Sequence, residues 1–204
     1  MMLRERAVST FADPLPPAFY PVALRLTGRR CVVIGDDEEA RAKAEGLREV
    51  GAEVRVILDA AHLAEDDLRD AFFVISTPID AELSARLREL AERDRFLLCT
   101  IDQPEFGFVA MQAIVKAGPV RIAIGTGGAA PRVGKILKEA LSRALDAKFR
   151  AFLDCLATQK LRNRYWMASD PPRRRRAMME AAEGFELDIN LRYPAWFVGR
   201  GRQA

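Results

Sequence analysis

The chain has 204 residues, half of them hydrophobic, with 32 Lys and Arg against 29 Asp and Glu, a formal charge of +3, and a single histidine. This is enough for one ordinary domain plus a smaller one, and enough apolar surface to bury a core. No apolar run approaches the length that spans a bilayer, so no membrane association is expected, and one histidine excludes a His-rich metal site.

Residues 1–17 lack the apolar block of a signal peptide and are expected to form a loose N-terminal arm. Cys31-Val32-Val33-Ile34 is a continuous apolar run, the pattern of a strand buried on both faces of a parallel sheet. Gly35 ends it. Ala40, Ala44 and Leu47 recur at helical spacing, Gly51 closes the helix, and Val54, Val56 and Ile57 supply a second strand. Phe72–Ser76 is a third strand, followed by Thr77-Pro78. Asp80 opens a helix with Leu83, Leu87 and Leu90 on one face. Phe96–Ile101 is a fourth strand, ending at Asp102, and Val120–Ile124 a further one after the turn at Gly118-Pro119. Strands alternating with helices in this way predict an α/β fold with an open, Rossmann-like parallel sheet. From Val133 the pattern becomes one long amphipathic helix that continues weakly through Phe149, Phe152, Leu153 and Leu156, with a small helical C-terminal domain beyond. The expected divisions are an arm over 1–17, a Rossmann-like domain over 18–119, a dimerisation segment over 120–150 and a helical domain over 151–204.

Ligands of open parallel sheets bind beyond the carboxyl ends of the strands. Gly35, Asp59, Thr77, Asp102 and Gly125-Thr126-Gly127-Gly128 all fall at such ends. The first strand–turn–helix could seat a pyrophosphate on the helix N-terminus. Gly35 and Ala40 fit the first and last positions of G-x-G-x-x-G/A, but Asp37 replaces the middle glycine. Its carboxylate faces either phosphate, which it opposes, or the helix, which Asp36 and Asp37 would cap. Asp59, after the second strand, could accept hydrogen bonds from an adenosine ribose and favour NAD over NADP, or be an ordinary loop acid. Asp102 before Gln103-Pro104 could equally be a turn cap.

Three widely spaced cysteines, Cys31, Cys99 and Cys155, with no CxxC, suit buried thiols in a reducing cytoplasm. Between Gln159 and Arg176, Lys160, Arg162, Arg164 and Arg173–Arg176 face one acid, Asp170. Such a block attracts polyanions or is simply solvated.

FYPVALRLTGRRCVVIG, AKAEGLREVGAEVRVI, LLCTIDQPEFGFV and AIVKAGPVRIAIGTGGAAPRVGKILKEAL together resemble the precorrin-2 dehydrogenase/sirohydrochlorin ferrochelatase family, the dehydrogenase–chelatase part of siroheme synthase. The resemblance covers about residues 18–146, and extends loosely to RNRYWMASDPP. It implies a homodimer that oxidises precorrin-2 to sirohydrochlorin with NAD and in many members inserts ferrous iron. It implies Asp102 as the catalytic carboxylate, a cofactor site at Gly35, Asp36, Asp37, Ala40, Asp59 and Thr77, and a tetrapyrrole site near Thr126, Gly127 and Gly128, with no dedicated metal ligands. The basic block suits a substrate bearing several carboxylates. The chain departs from the family at Gly35-Asp36-Asp37, at Thr77-Pro78-Ile79-Asp80, where Thr-Asp-Asp is usual, and at Gln112, which replaces a proline of the helix expected after Asp102. The first two departures bear on the dinucleotide site, so a chelatase-only enzyme or a non-catalytic tetrapyrrole-binding homologue remains an alternative. A nucleotide-sensing module with a nucleic-acid-binding tail is a further one, opposed by the lack of a nucleic-acid-binding signature.

Overall fold

The computed structural model describes residues 19–198; the expected N-terminal arm lies outside them. Four parallel strands, β1 (Arg30–Ile34), β2 (Glu53–Ile57), β3 (Phe73–Ser76) and β4 (Leu97–Thr100), form one sheet in the order β2-β1-β3-β4. Helix α1 (Glu38–Glu49) connects β1 to β2, and α2 (Ala81–Asp94) connects β3 to β4. Between β2 and β3 the chain crosses back over β1 through two short 3-10 turns, Ala60–His62 and Glu65–Leu68. The strand order therefore reverses between β1 and β3, and ligands of open α/β sheets bind at the carboxyl edge of such a reversal.

Side chains alternate across the sheet, and each face has its own core. Cys31, Val33, Phe73, Ile75 and Cys99 pack with Ala40, Ala44 and Leu47 of α1. Val32, Ile34, Val74 and Leu98 pack with Leu83, Leu87, Leu90 and Ala91 of α2. Both faces are covered, which is why these strands are continuous apolar runs rather than alternating ones. The Leu83, Leu87 and Leu90 stripe expected for α2 is its buried face, and Asp80 caps the helix by accepting from the N–H groups of Glu82 and Leu83.

Beyond β4 the structure corrects three expectations. Val120–Ile124 is a strand, β6, but it lies outside the parallel sheet and pairs with β5 (Ala113–Ala117), which sequence patterning missed. The two-residue connection Gly118-Pro119 is too short for a parallel crossover, so only a hairpin can form. Gln112 lies in the loop before β5 and not in a helix. The long helix is two helices, α3 (Pro131–Ala144) and α4 (Ala147–Trp166). Asp146 leaves helical geometry and its carboxylate accepts from Phe149 N–H at 2.9 Å, so a cap starts a new helix where apolar spacing alone continued the old one.

The chain divides into two compact units. One runs to Val115 and includes Ile122–Leu141; the other comprises Lys116–Arg121 and the chain from Ser142 onward. Within the second unit, α4 and α5 (Pro171–Ala181) pack together, with Phe185 against Phe149 and Phe152 at ring distances of 5.8 and 5.3 Å. A short helix, α6 (Ala195–Val198), ends the described chain. No helix among the described residues is long and apolar enough to cross a membrane.

Candidate functional site

Residue pairing aligns Ile34 with Ile57, Ile34 with Ser76, and Ser76 with Thr100. The four strands thus end level, and Asp59, Gly35, Thr77 and Asp102 follow them at one edge of the sheet. Neighbouring strands are about 4.8 Å apart, so β1 and β4 are separated by about 10 Å. A flat ligand lying across this edge would meet both the β1 turn and the loop after β4.

Gly35 occupies the turn after β1 with φ +132°. A β-carbon there would come within 2.1 Å of Thr77 Oγ1, so glycine is demanded by both backbone and space. Asp37 is the N-cap of α1: its Oδ1 accepts from Ala40 N–H at 2.6 Å. Its Oδ2 accepts from Thr77 Oγ1, also at 2.6 Å. One carboxylate thereby ties the start of α1 to the end of β3, across the strand-order reversal. The Thr77 hydroxyl first, and the Ala40 N–H next, hold the Asp37 carboxyl below its ordinary value. The two directions left open by sequence are resolved: the side chain turns onto the helix. Arg41 folds back over the same turn, donating to Asp36 O at 2.5 Å and Asp37 O at 3.3 Å. Ala40 is fully buried beneath it.

Asp59 ends β2 where a ribose ligand is expected, but both its oxygens have local partners. Oδ1 accepts from Ala61 N–H at 2.9 Å and Oδ2 lies 2.8 Å from His62 Nδ1. The Ala61 N–H and then His62 lower its pKa.

Asp102 is exposed, and its backbone is left-handed at φ 58°, a conformation Asp tolerates better than most residues. No hydrogen-bond partner among the described residues engages its carboxylate. The loop that carries it is fastened from below. Thr100 Oγ1 donates to Gln103 O at 2.6 Å, and buried Ser84 Oγ donates to buried Gln103 Oε1 at 2.8 Å. From α2, Arg88 reaches Phe106 O at 3.4 Å and lies over the Phe108 ring at 3.8 Å. The result is a fastened loop that presents a carboxylate with no hydrogen-bond partner among the described residues, the arrangement a general base needs. Sequence reasoning passed over Ser84 and Gln103. A usable signal was present: Ser84 interrupts the Leu83–Leu87 apolar stripe and so needs a buried partner. It also passed over Ser76, whose fully buried hydroxyl has no hydrogen-bond partner among the described residues.

Thr126, Gly127 and Gly128 link β6 to α3, with φ 59° and 79° at the two glycines. Thr126 O accepts from Ala129 N–H, and Thr126 Cγ2 lies against buried Gly134 of α3. No hydrogen bond among the described residues ties this turn to Asp102. In the basic block, Arg174 donates to Ala168 O and Asp170 caps α5 through Arg173 N–H, while Lys160, Arg162, Arg164, Arg173, Arg175 and Arg176 are exposed.

Residues 22–113 match a family described as "Putative NAD(P)-binding". Siroheme synthase 1 of Pectobacterium atrosepticum is 30% identical over 176 residues, covering 77% of this chain and 36% of its own. Siroheme synthase of Hahella chejuensis is 28% identical over 193 residues, 84% of this chain and 40% of its own. A solved structure titled SirC, precorrin-2 dehydrogenase, superposes with a TM-score of 0.68 at 21% identity, covering 81% of this chain and 90% of that one. In sequence and in fold the chain resembles the siroheme synthase dehydrogenase–chelatase family. It spans about a third of the length of the curated relatives it matches, 30, 36 and 40% for three of them. The likeness to SirC is one of fold.

Proposed function

We propose that this chain oxidises precorrin-2 to sirohydrochlorin, using NAD as the acceptor. The observation that carries the reading is Asp102: an exposed carboxylate with no hydrogen-bond partner among the described residues, on a fastened loop, at the same sheet edge as the turn after β1. Gly35 suits a dinucleotide turn because its missing β-carbon makes room for Thr77, which brings the Thr77 hydroxyl up to the N-terminus of α1 at the reversal point. Gly35, Ala40 and Thr77 would hold its phosphates and Asp59 its ribose, and the bound nicotinamide would supply the hydride acceptor. Oxidation removes one hydride and one proton from the tetrapyrrole; Asp102 takes the proton. The turn at Thr126–Gly128 would offer backbone donors to a substrate carrying several carboxylates. In this reading the protein works as a cytoplasmic homodimer.

Metal insertion into sirohydrochlorin by the same site is the second reading. It is favoured by the engaged Asp37 carboxylate, because that reaction needs no dinucleotide; ferrous iron is then a substrate, and Asp102 accepts pyrrole protons.

Two anaerobic assays test both. Precorrin-2 is supplied with and without NAD and the absorbance followed to sirohydrochlorin; sirohydrochlorin is supplied separately with ferrous or cobaltous ion. NAD-dependent oxidation in the first is the expected result. Metal insertion alone supports the second reading, tetrapyrrole binding without turnover identifies a carrier, and no spectral change in either refutes a tetrapyrrole ligand.

A further inference from the structure

We propose that Asp37 is a built-in competitor of the dinucleotide, occupying with its own carboxylate the donors that a phosphate would use. The proposal rests on the reading of the β1 turn as a dinucleotide site, and says what governs affinity there.

An N-cap aspartate needs only one oxygen for its helix. Here the second oxygen leaves the helix and takes the Thr77 hydroxyl of β3, 40 residues away in sequence. The bridge spans the point where strand order reverses, which is where a pyrophosphate enters folds of this kind. The space is already tight: Thr77 Oγ1 lies where a β-carbon of Gly35 would be. A carboxylate and a phosphate oxygen have the same charge sign and the same preference for backbone N–H and hydroxyl donors. The Asp37 side chain is therefore the anion of this site in the ligand-free protein. Its neighbours do not relieve the conflict. Glu38 and Glu39 sit in the first helical turn, Glu39 is paired with Lys43 at 3.1 Å, and Arg41 is spent on the carbonyls of Asp36 and Asp37. A dinucleotide enters only by displacing the carboxylate from Ala40 N–H and Thr77 Oγ1, and then lies beside it. Asp37 thus sets affinity for the dinucleotide without contributing a contact to it.

The test is the dissociation constant of NAD and of NADP, measured by titration calorimetry without tetrapyrrole, on the full chain and on two variants. Asp37→Gly removes the carboxylate and restores glycine at the third position. Asp37→Ser has a single oxygen, which keeps the cap on Ala40 N–H and releases Thr77, so the fold is secured even where the glycine variant is too unstable to measure. Thermal melts confirm that each variant is folded. Both variants are expected to bind the preferred dinucleotide about tenfold more tightly or better than the natural chain, the size expected from removing a like charge a few ångströms away at a screened surface. Detectable binding only in the variants is the same result in stronger form. Equal affinity in all three proteins overturns the competitor while leaving the dinucleotide site standing. No binding in any of the three overturns both.

Discussion

Two carboxylates at the carboxyl edge of the sheet are in opposite states. Asp102 has no partner among the described residues, whereas Asp37 has two. Replacing Asp102 by Asn keeps the left-handed backbone and the size but removes the base. Precorrin-2 turnover should fall about 100-fold or more, with NAD affinity and melting temperature unchanged; steady-state rates and calorimetry decide it, and undiminished turnover would remove Asp102 from catalysis. Asp37 gives a signature in stability. Its folded pKa is depressed by Thr77 and Ala40. Such a group stabilises the fold above its unfolded pKa, about 3.9, and that contribution is lost as pH falls through the folded value. Asp37→Asn should therefore be less stable than the natural protein at pH 6, and the gap should narrow in acid below the unfolded value of about 3.9. Urea denaturation at both pH values measures it; a gap that persists in acid would show that charge is not what the bridge uses.

Among elements, α2 does more than cover one face of the sheet. Its apolar stripe buries Leu87 and Leu90, while Ser84 and Arg88 hold the loop after β4. Ser84→Ala would leave Gln103 Oε1 buried without a donor, at a cost of about 1–3 kcal/mol. Chemical denaturation should show that loss, and Asp102-dependent turnover should fall with it, because the loop loses its fastening. A variant as stable as the natural chain would mean that water replaces the hydroxyl. The elements also show what sequence periodicity can carry. Strands β1 to β4 and helices α1 and α2 were legible because both sheet faces are covered, which makes each strand an apolar run and each helix a clean stripe. Strand β5 was missed because Ala113–Ala117 mixes buried Val115 and Ala117 with exposed Ile114 and Lys116, too weak a pattern over five residues. The α3–α4 break was missed because the apolar spacing runs on past Asp146, whereas a cap acts through one hydrogen bond that periodicity does not register.

For the whole molecule, the exposed apolar residues lie mainly outside the parallel sheet. Val133 and Ile136 of α3 are 50 and 51% exposed, and Leu161, Tyr165 and Trp166 of α4 more so. A homodimer would cover part of this surface. Sedimentation velocity at micromolar concentration should give a dimer, and Ile136→Asp should shift it toward monomer; a monomer throughout would refute the assembly. By itself the sequence determined the α/β class, the strand ends and the residues that gather there, because local pattern dictates which segments become strands and parallel strands must end at a common edge. Only the tertiary structure decided how those residues are used. Whether Asp37 faces a phosphate or its own helix depends on Thr77, brought alongside by the β1–β3 pairing. How the loop that carries Asp102 is fastened depends on Ser84, which reaches Gln103 from another element. Both are contacts between segments far apart in sequence, and no local pattern encodes the distance between them.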